Sequence, residues 1–193
     1  MIKNVQVYGI ADSFKASKFP MATDTDKCSY MCTDRIKKLA SAPIGSGHDN
    51  FLNGIIVQFD LTFSQKAWVE LQRYHFIDFV SSQSTMHRID RFDLDSQMNE
   101  WVDDAIKSRL RELVEAYRED GSKENFLKVI YNIPSGFQLT ARMTTNYRQL
   151  KTIYFQRRTH RLPEWREFCS WIESLPYMRE FLGLEKENDS TYV

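Results

Sequence analysis

Residues 55–63, IIVQFDLTF, alternate side-chain character without a break. Val57, Phe59, Leu61 and Phe63 point to one side, and Gln58, Asp60 and Thr62 to the other. That period of two predicts a strand buried on one face. A half-buried strand needs a layer to cover it, and the flanking sequence supplies helices. SQKAWVELQRYHF follows directly, with Ser64 as a candidate cap and Trp68, Leu71 and His75 on one helical side. Residues 95–121 carry the longest helical pattern, capped by Asp95 or Ser96. Trp101, Ala105, Ile106, Leu110, Leu113, Val114 and Tyr117 recur at helical spacing, and Gly121 stops it.

The remaining segments extend the same picture. NVQVYGI alternates as a first strand, and GFQLTAR as a later one. Helices are predicted around SYMCTDRIKKLAS, over KENFLKVIYN up to Pro134, over TTNYRQLKTIYFQRR, and over PEWREFCSWIESL with Pro163 at its first position. Strands and helices that do not alternate regularly predict an α+β fold, a mixed sheet with helices packed on it. The 193 residues suit a single domain, ending in a polar tail at 185–193. The formal net charge of zero argues against a general nucleic-acid binder. No apolar run reaches the roughly 18 residues of a membrane span, and no signal peptide is legible, which points to a cytoplasmic protein.

Several groups could carry chemistry. In the helix from Thr145, Leu150, Ile153 and Tyr154 form an apolar stripe that Asn146 and Arg157 extend. A buried arginine needs a partner, so Arg157 reads either as an internal ion pair, as a helix-end residue reaching water, or as a ligand-binding group. Arg157, Arg158, His160 and Arg161, with Arg148 and Lys151 upstream, form a local anion-site candidate or a solvated basic helix end. The stretch FVSSQSTMHR, residues 79–88, sets a bare row of hydroxyls and an amide between apolar neighbours, without the glycine or proline of an ordinary turn. Cys28 and Cys32, with His48 as a third group, fall short of a four-ligand zinc set and Cys169 stands alone, so no metal site is expected and the thiols read as free. GSGHDNFLNG lacks the lysine of a phosphate loop, and no nucleophile-elbow motif is present.

In order and spacing, residues 45–175 resemble the flavin-dependent thymidylate synthases, in particular diverged phage-encoded members. YHFIDFVSSQSTMH lies along that family's R-H-R-x-x-S-x-N-E-x-S-x-R-Y signature. GHDNFLNG precedes a strand as GHESVLEH does in the family. IPSGFQLTARMTTNYR and LKTIYFQRRTHRLPEW follow at matching separation. The resemblance implies reductive methylation of dUMP, with methylenetetrahydrofolate giving the carbon and reduced FAD the hydride, in a homotetramer. It implies that Gln83, Ser84 and Thr85 hold the pyrimidine deoxynucleotide, that Arg157, or Arg158 one register on, binds the uracil, and that His75, Asn146 and Arg148 meet the flavin.

The chain also departs from that pattern. Tyr74 and Phe76 replace the two arginines of R-H-R, Met86 the later arginine, Gly54 a histidine and Ile130 another arginine. Each lost charge-assisted hydrogen bond is worth about 1.5–3 kcal/mol. Arg73 and Arg88 are near enough in sequence to substitute, and the new aromatics could stack on a ligand. The departures raise an alternative: a non-catalytic descendant that binds a nucleotide or a host protein.

Overall fold

The computed structural model describes residues 1–184, so the polar tail expected at 185–193 lies outside the described residues. Four strands, β1 (Ile2–Tyr8), β2 (Ile56–Ser64), β3 (Ile77–Ser82) and β4 (Gln138–Asn146), form a sheet in the order β1-β2-β4-β3. The sheet is antiparallel. Ten α-helices are present among the described residues: α1 (Ile10–Ala16), α2 (Asp34–Ala40), α3 (Gln65–Leu71), α4 (Thr85–Arg88), α5 (Leu94–Gln97), α6 (Asp104–Asp120), α7 (Lys123–Ile130), α8 (Tyr147–Arg157), α9 (Pro163–Ser174) and α10 (Met178–Phe181). The architecture is α+β, as the sequence pattern requires.

The alternation in β2 does what it promised. Val57, Phe59, Leu61 and Phe63 are buried, while Gln58, Asp60 and Thr62 remain partly open. The polar face is not idle, because Asp60 meets Arg142 of β4 at 3.2 Å and the Thr62 and Thr140 hydroxyls lie 2.7 Å apart. These cross-strand pairs fix the β2–β4 register in addition to the backbone ladder.

The chain divides into two compact units, each taking part of the sheet strands. One contains Met1, residues 60–74 and residues 79–143. Its core gathers Ile89, Leu94, Met98, Leu110, Val114, Val129 and Phe137, with α6 and α7 packed together. The other contains residues 2–59, 75–78 and the chain from Thr144 on. Its core includes Phe14, Ile36, Phe59, Leu150, Phe168 and Phe181. Phe59 lies 5.9 Å from Phe168 and 4.5 Å from Trp171, ring centre to ring centre, so α9 packs on that residue of β2.

Two boundaries here differ from the sequence expectation. The long helix starts at Asp104, because the Asp103 carboxylate accepts the Ala105 N–H at 2.8 Å and so caps it there. Trp101 is therefore outside the helix and exposed, and Ala105 and Ile106 are exposed in its first turn. Gly121 ends α6 in the left-handed conformation, φ 60°, as expected. Helix α3 stops at Leu71, which leaves His75 beyond it and exposed instead of on its buried side. Ser64 does cap α3, its hydroxyl accepting the Ala67 N–H at 3.2 Å.

Candidate functional site

The hydroxyl row is split between two kinds of structure. Residues up to Ser82 belong to β3, an edge strand exposed along all but its first residue. A strand was not legible there, since nothing alternates when neither face is buried. Gln83 then extends the ladder. Its N–H donates to the Thr140 carbonyl at 2.9 Å, and its side-chain Oε1 accepts the Thr140 N–H at 2.8 Å. The amide thereby stands in for a missing backbone carbonyl. Ser84 precedes α4, and its hydroxyl makes no capping bond. Ser84 and Thr85 are half-buried.

In the other unit, α8 and its two caps hold four candidates. The expected helix began at Thr145, but β4 runs on through Asn146, and α8 starts at Tyr147. Asn146 is therefore the cap, not a member of the inward stripe. Its Oδ1 accepts the Gln149 N–H at 2.9 Å, which satisfies one of the helix's orphan donors. The stripe itself is Tyr147, Leu150, Lys151, Ile153 and Tyr154, all buried.

Lys151, expected upstream in the basic cluster as an anion-site candidate, is instead a buried internal ion. It is 1% exposed, and its ammonium donates to the Ala40 and Ala42 carbonyls, each at 2.6 Å, and to Asp49 Oδ2 at 3.0 Å. Three donors meet three acceptors, the condition under which a buried ammonium is tolerated. Asp49, 0% exposed, uses its other oxygen to accept from Arg148 Nε at 3.1 Å. One carboxylate thus joins two cations of α8 and pins residues 40–49 to that helix. The signal was present in the sequence: Lys151 sits four residues after Tyr147 and three before Tyr154, in the centre of an apolar stripe, so it demanded a buried anion. Arg148 keeps a third of its side chain exposed.

At the far end of α8, the Arg157 guanidinium lies 4.7 Å from the ring centre of buried Trp165. Stacking an arginine on an indole is one way to hold a half-buried cation. Arg158 is exposed and lies over Phe155 at 5.5 Å. His160 Nδ1 accepts the Leu162 N–H at 3.2 Å, so the expected basic cluster is partly spent on the turn into α9. Below it, Tyr154 donates to Glu173 at 2.8 Å; burial, and then that bond, push its hydroxyl pKa up.

His75 is exposed, and the residue after it is unusual. Phe76 has φ 61° although it is not glycine, and its carbonyl is held by the Thr145 hydroxyl at 2.7 Å. Its ring is 71% exposed. Met86, which like Phe76 replaces a family arginine, is 56% exposed. Burial, reinforced by Glu173, pushes the Cys169 thiol pKa up to about 12, and burial also raises that of Cys32. Among the described residues no cluster of three or more His, Cys, Asp or Glu could hold a metal, and no helix is long and apolar enough to cross a membrane.

No protein-family model matches the sequence, and no curated protein matches it. Solved structures do match. The chain is similar to the flavin-dependent thymidylate synthase ThyX of Helicobacter pylori complexed with FAD and dUMP, at a TM-score of 0.71 and 13% identity, over 94% of this chain and 96% of that one. A second structure of Helicobacter pylori ThyX, also with FAD and dUMP, matches at a TM-score of 0.70 and 15% identity, over 94% and 97%. At such identity the likeness establishes the fold.

Proposed function

We propose that this chain is a flavin-dependent thymidylate synthase-like protein that reductively methylates dUMP to dTMP, using methylenetetrahydrofolate and reduced FAD. The observation that carries the reading is the fold likeness, which spans 94% of the chain and pairs it with a protein complexed with both FAD and dUMP. The polar groups that the family resemblance singled out also fit such ligands. Arg148 is braced by a buried carboxylate yet keeps an exposed part, and Asn146 uses only the carbonyl end of its amide in capping. The Ser84 hydroxyl caps nothing, and the Arg157 guanidinium lies over an indole.

On this reading Gln83, Ser84 and Thr85 hold the nucleotide, and exposed Arg73 and Arg88 supply charge near its phosphate. Arg157, aided by Arg158, donates to the uracil carbonyls and stabilises charge that develops there, which makes it the catalytic residue. His75, Asn146 and Arg148 orient the flavin. FAD, when bound, supplies the hydride and methylenetetrahydrofolate the carbon. A protein thiol is not needed, in keeping with the raised Cys169. The chain acts as a homotetramer in the cytoplasm, the host's if it is phage-encoded, with a native mass near four times 22.8 kDa.

A second reading has its own observation. Phe76 and Met86 present exposed apolar surface where the family resemblance calls for arginines, which suits a non-catalytic descendant that binds a nucleotide or a host protein. Tritium release from [5-³H]dUMP, with reduced FAD and the folate present, separates the two. Release that falls at least tenfold in Arg157→Ala supports the enzyme. Binding of dUMP without any release supports the descendant, and neither binding nor release removes both nucleotide readings.

A further inference from the structure

A cavity of about 320 Å³ is lined by α2 and by residues of the stretch 17–28, inside the unit that contains residues 2–59. None of its lining residues belongs to the nucleotide or flavin set above. Met21, Ile36 and Leu39 give it apolar walls, and Lys18, Thr33 and Arg35 stand among them. We propose that this cavity binds an aliphatic monocarboxylate, its chain against the apolar walls and its carboxylate on Arg35.

Charge argues for an anion. Two cations line the cavity and, among the described residues, no carboxylate does. Lys18 donates to the Ser29 carbonyl at 2.6 Å, the Ser29 hydroxyl at 2.7 Å and the Met31 carbonyl at 3.0 Å. Those acceptors are neutral, so its charge stays uncompensated while its three N–H bonds are spent. Arg35 is exposed, and no hydrogen bond or ion pair engages its guanidinium among the described residues. Thr33 Oγ1 accepts the Ile36 N–H at 3.4 Å, which leaves its hydroxyl hydrogen to donate. One open guanidinium fork and one hydroxyl match a single carboxylate. A phosphate dianion would bring its second charge to a lysine with no donor left to give.

The walls set the rest of the ligand. No aromatic ring lines the cavity among the described residues, so a nucleobase, flavin or pterin has nothing to stack on. Met21 is 74% exposed and Leu39 half-buried, so an alkyl chain laid over them removes apolar surface from water. The unbranched thioether of Met21 also adapts to the shape of such a chain. The volume lies at the small end for ligand pockets, which suits a short or medium chain and not a dinucleotide. Cys28, half-buried in the same lining, gives a thiol that reports occupancy.

The test uses the full chain with sodium octanoate, and with octan-1-ol and inorganic phosphate as probes that keep only the chain or only the charge. Calorimetry should show saturable binding of octanoate, and the bound acid should slow alkylation of Cys28 by iodoacetamide several-fold. Octan-1-ol and phosphate should each bind at least tenfold more weakly. Arg35→Gln should weaken octanoate at least tenfold and leave octan-1-ol unchanged. Met21→Asp places a charge on the apolar wall and should weaken both at least tenfold. Both positions are exposed, so the thermal midpoint should hold in each variant. Binding of dUMP and FAD should survive both substitutions, so a failure here is distinct from a failure of the proposed activity. The proposal is overturned if octanoate does not bind, or if its binding leaves Cys28 as reactive as before or ignores both substitutions. It is also overturned if phosphate or octan-1-ol binds as tightly as octanoate, because the site would then read only one half of the ligand.

Discussion

The edge of β3 and the N-terminal half of α8 handle polar groups in opposite ways. Along β3 and just beyond it the row Ser81–Thr85 is uncharged and largely open to solvent, and the Gln83 side chain is held by one bond, from the Thr140 N–H. In α8 the polar groups are charged and sealed: Lys151 and Asp49 are almost without exposure, and each oxygen of Asp49 has a cation. An exposed neutral row can lose a member cheaply, since water replaces it. A buried ion cannot, since nothing replaces its partner. The row is therefore free to be tuned for a ligand, whereas the Asp49–Lys151 pair must be kept for the fold before it can serve any ligand.

That contrast gives an ordered set of expectations. Asp49→Ala leaves the Lys151 ammonium buried with two carbonyls and no anion, and should cost about 3–5 kcal/mol in urea unfolding. A loss below about 1 kcal/mol would mean that water reaches Lys151 and the pair is not sealed. Arg157→Ala removes a cation lying over Trp165, worth about 0.5–2 kcal/mol of stability, yet should weaken dUMP binding at least tenfold. Unfolding without a binding defect in the residual folded protein would make Arg157 a structural brace. Ser84→Ala should cost about 1 kcal/mol of nucleotide affinity and leave stability within about 0.5 kcal/mol, because its hydroxyl caps nothing. Isothermal titration and thermal melts of the same sample separate these two numbers.

The smallest effect near neutral pH belongs to Cys169. Its thiol is raised in the folded state from 9.0 to about 12, chiefly by burial. The folded protein therefore holds that proton more tightly than the unfolded chain. The associated stability is fully present below about pH 9 and is lost as pH rises from 9 towards 12. A melt series from pH 7 to 8.5 should show no contribution from this group, and Cys169→Ala should flatten the decline above pH 9. At pH 8 a thiol reagent should reach Cys169 only on unfolding.

What could be read in the sequence follows the same division. Where one face is buried and the other wet, periodicity speaks: β2, the body of α6 and the Pro163 start of α9 were all legible. Where both faces of a strand are exposed, as in β3, the pattern vanishes and only composition hints at the element. Ends depend on a single side chain choosing its bond: Asp103 put the start of α6 at 104 instead of just after 95 or 96, and Asn146 put that of α8 at 147 instead of 145. The Asp49–Lys151 contact spans 102 positions, so no local pattern could name the partner, although the lysine's place on the stripe announced that one existed.

The central claim, that this fold still serves a pyrimidine deoxynucleotide and a flavin, is tested most directly by the thermal midpoint of the purified chain titrated with dUMP and FAD, alone and together. A ligand present at 100 times its Kd adds about 2.7 kcal/mol to the folded state. The account expects each to raise the midpoint, and the dUMP increment to shrink in Arg157→Ala. A midpoint unmoved by saturating concentrations of both would contradict it.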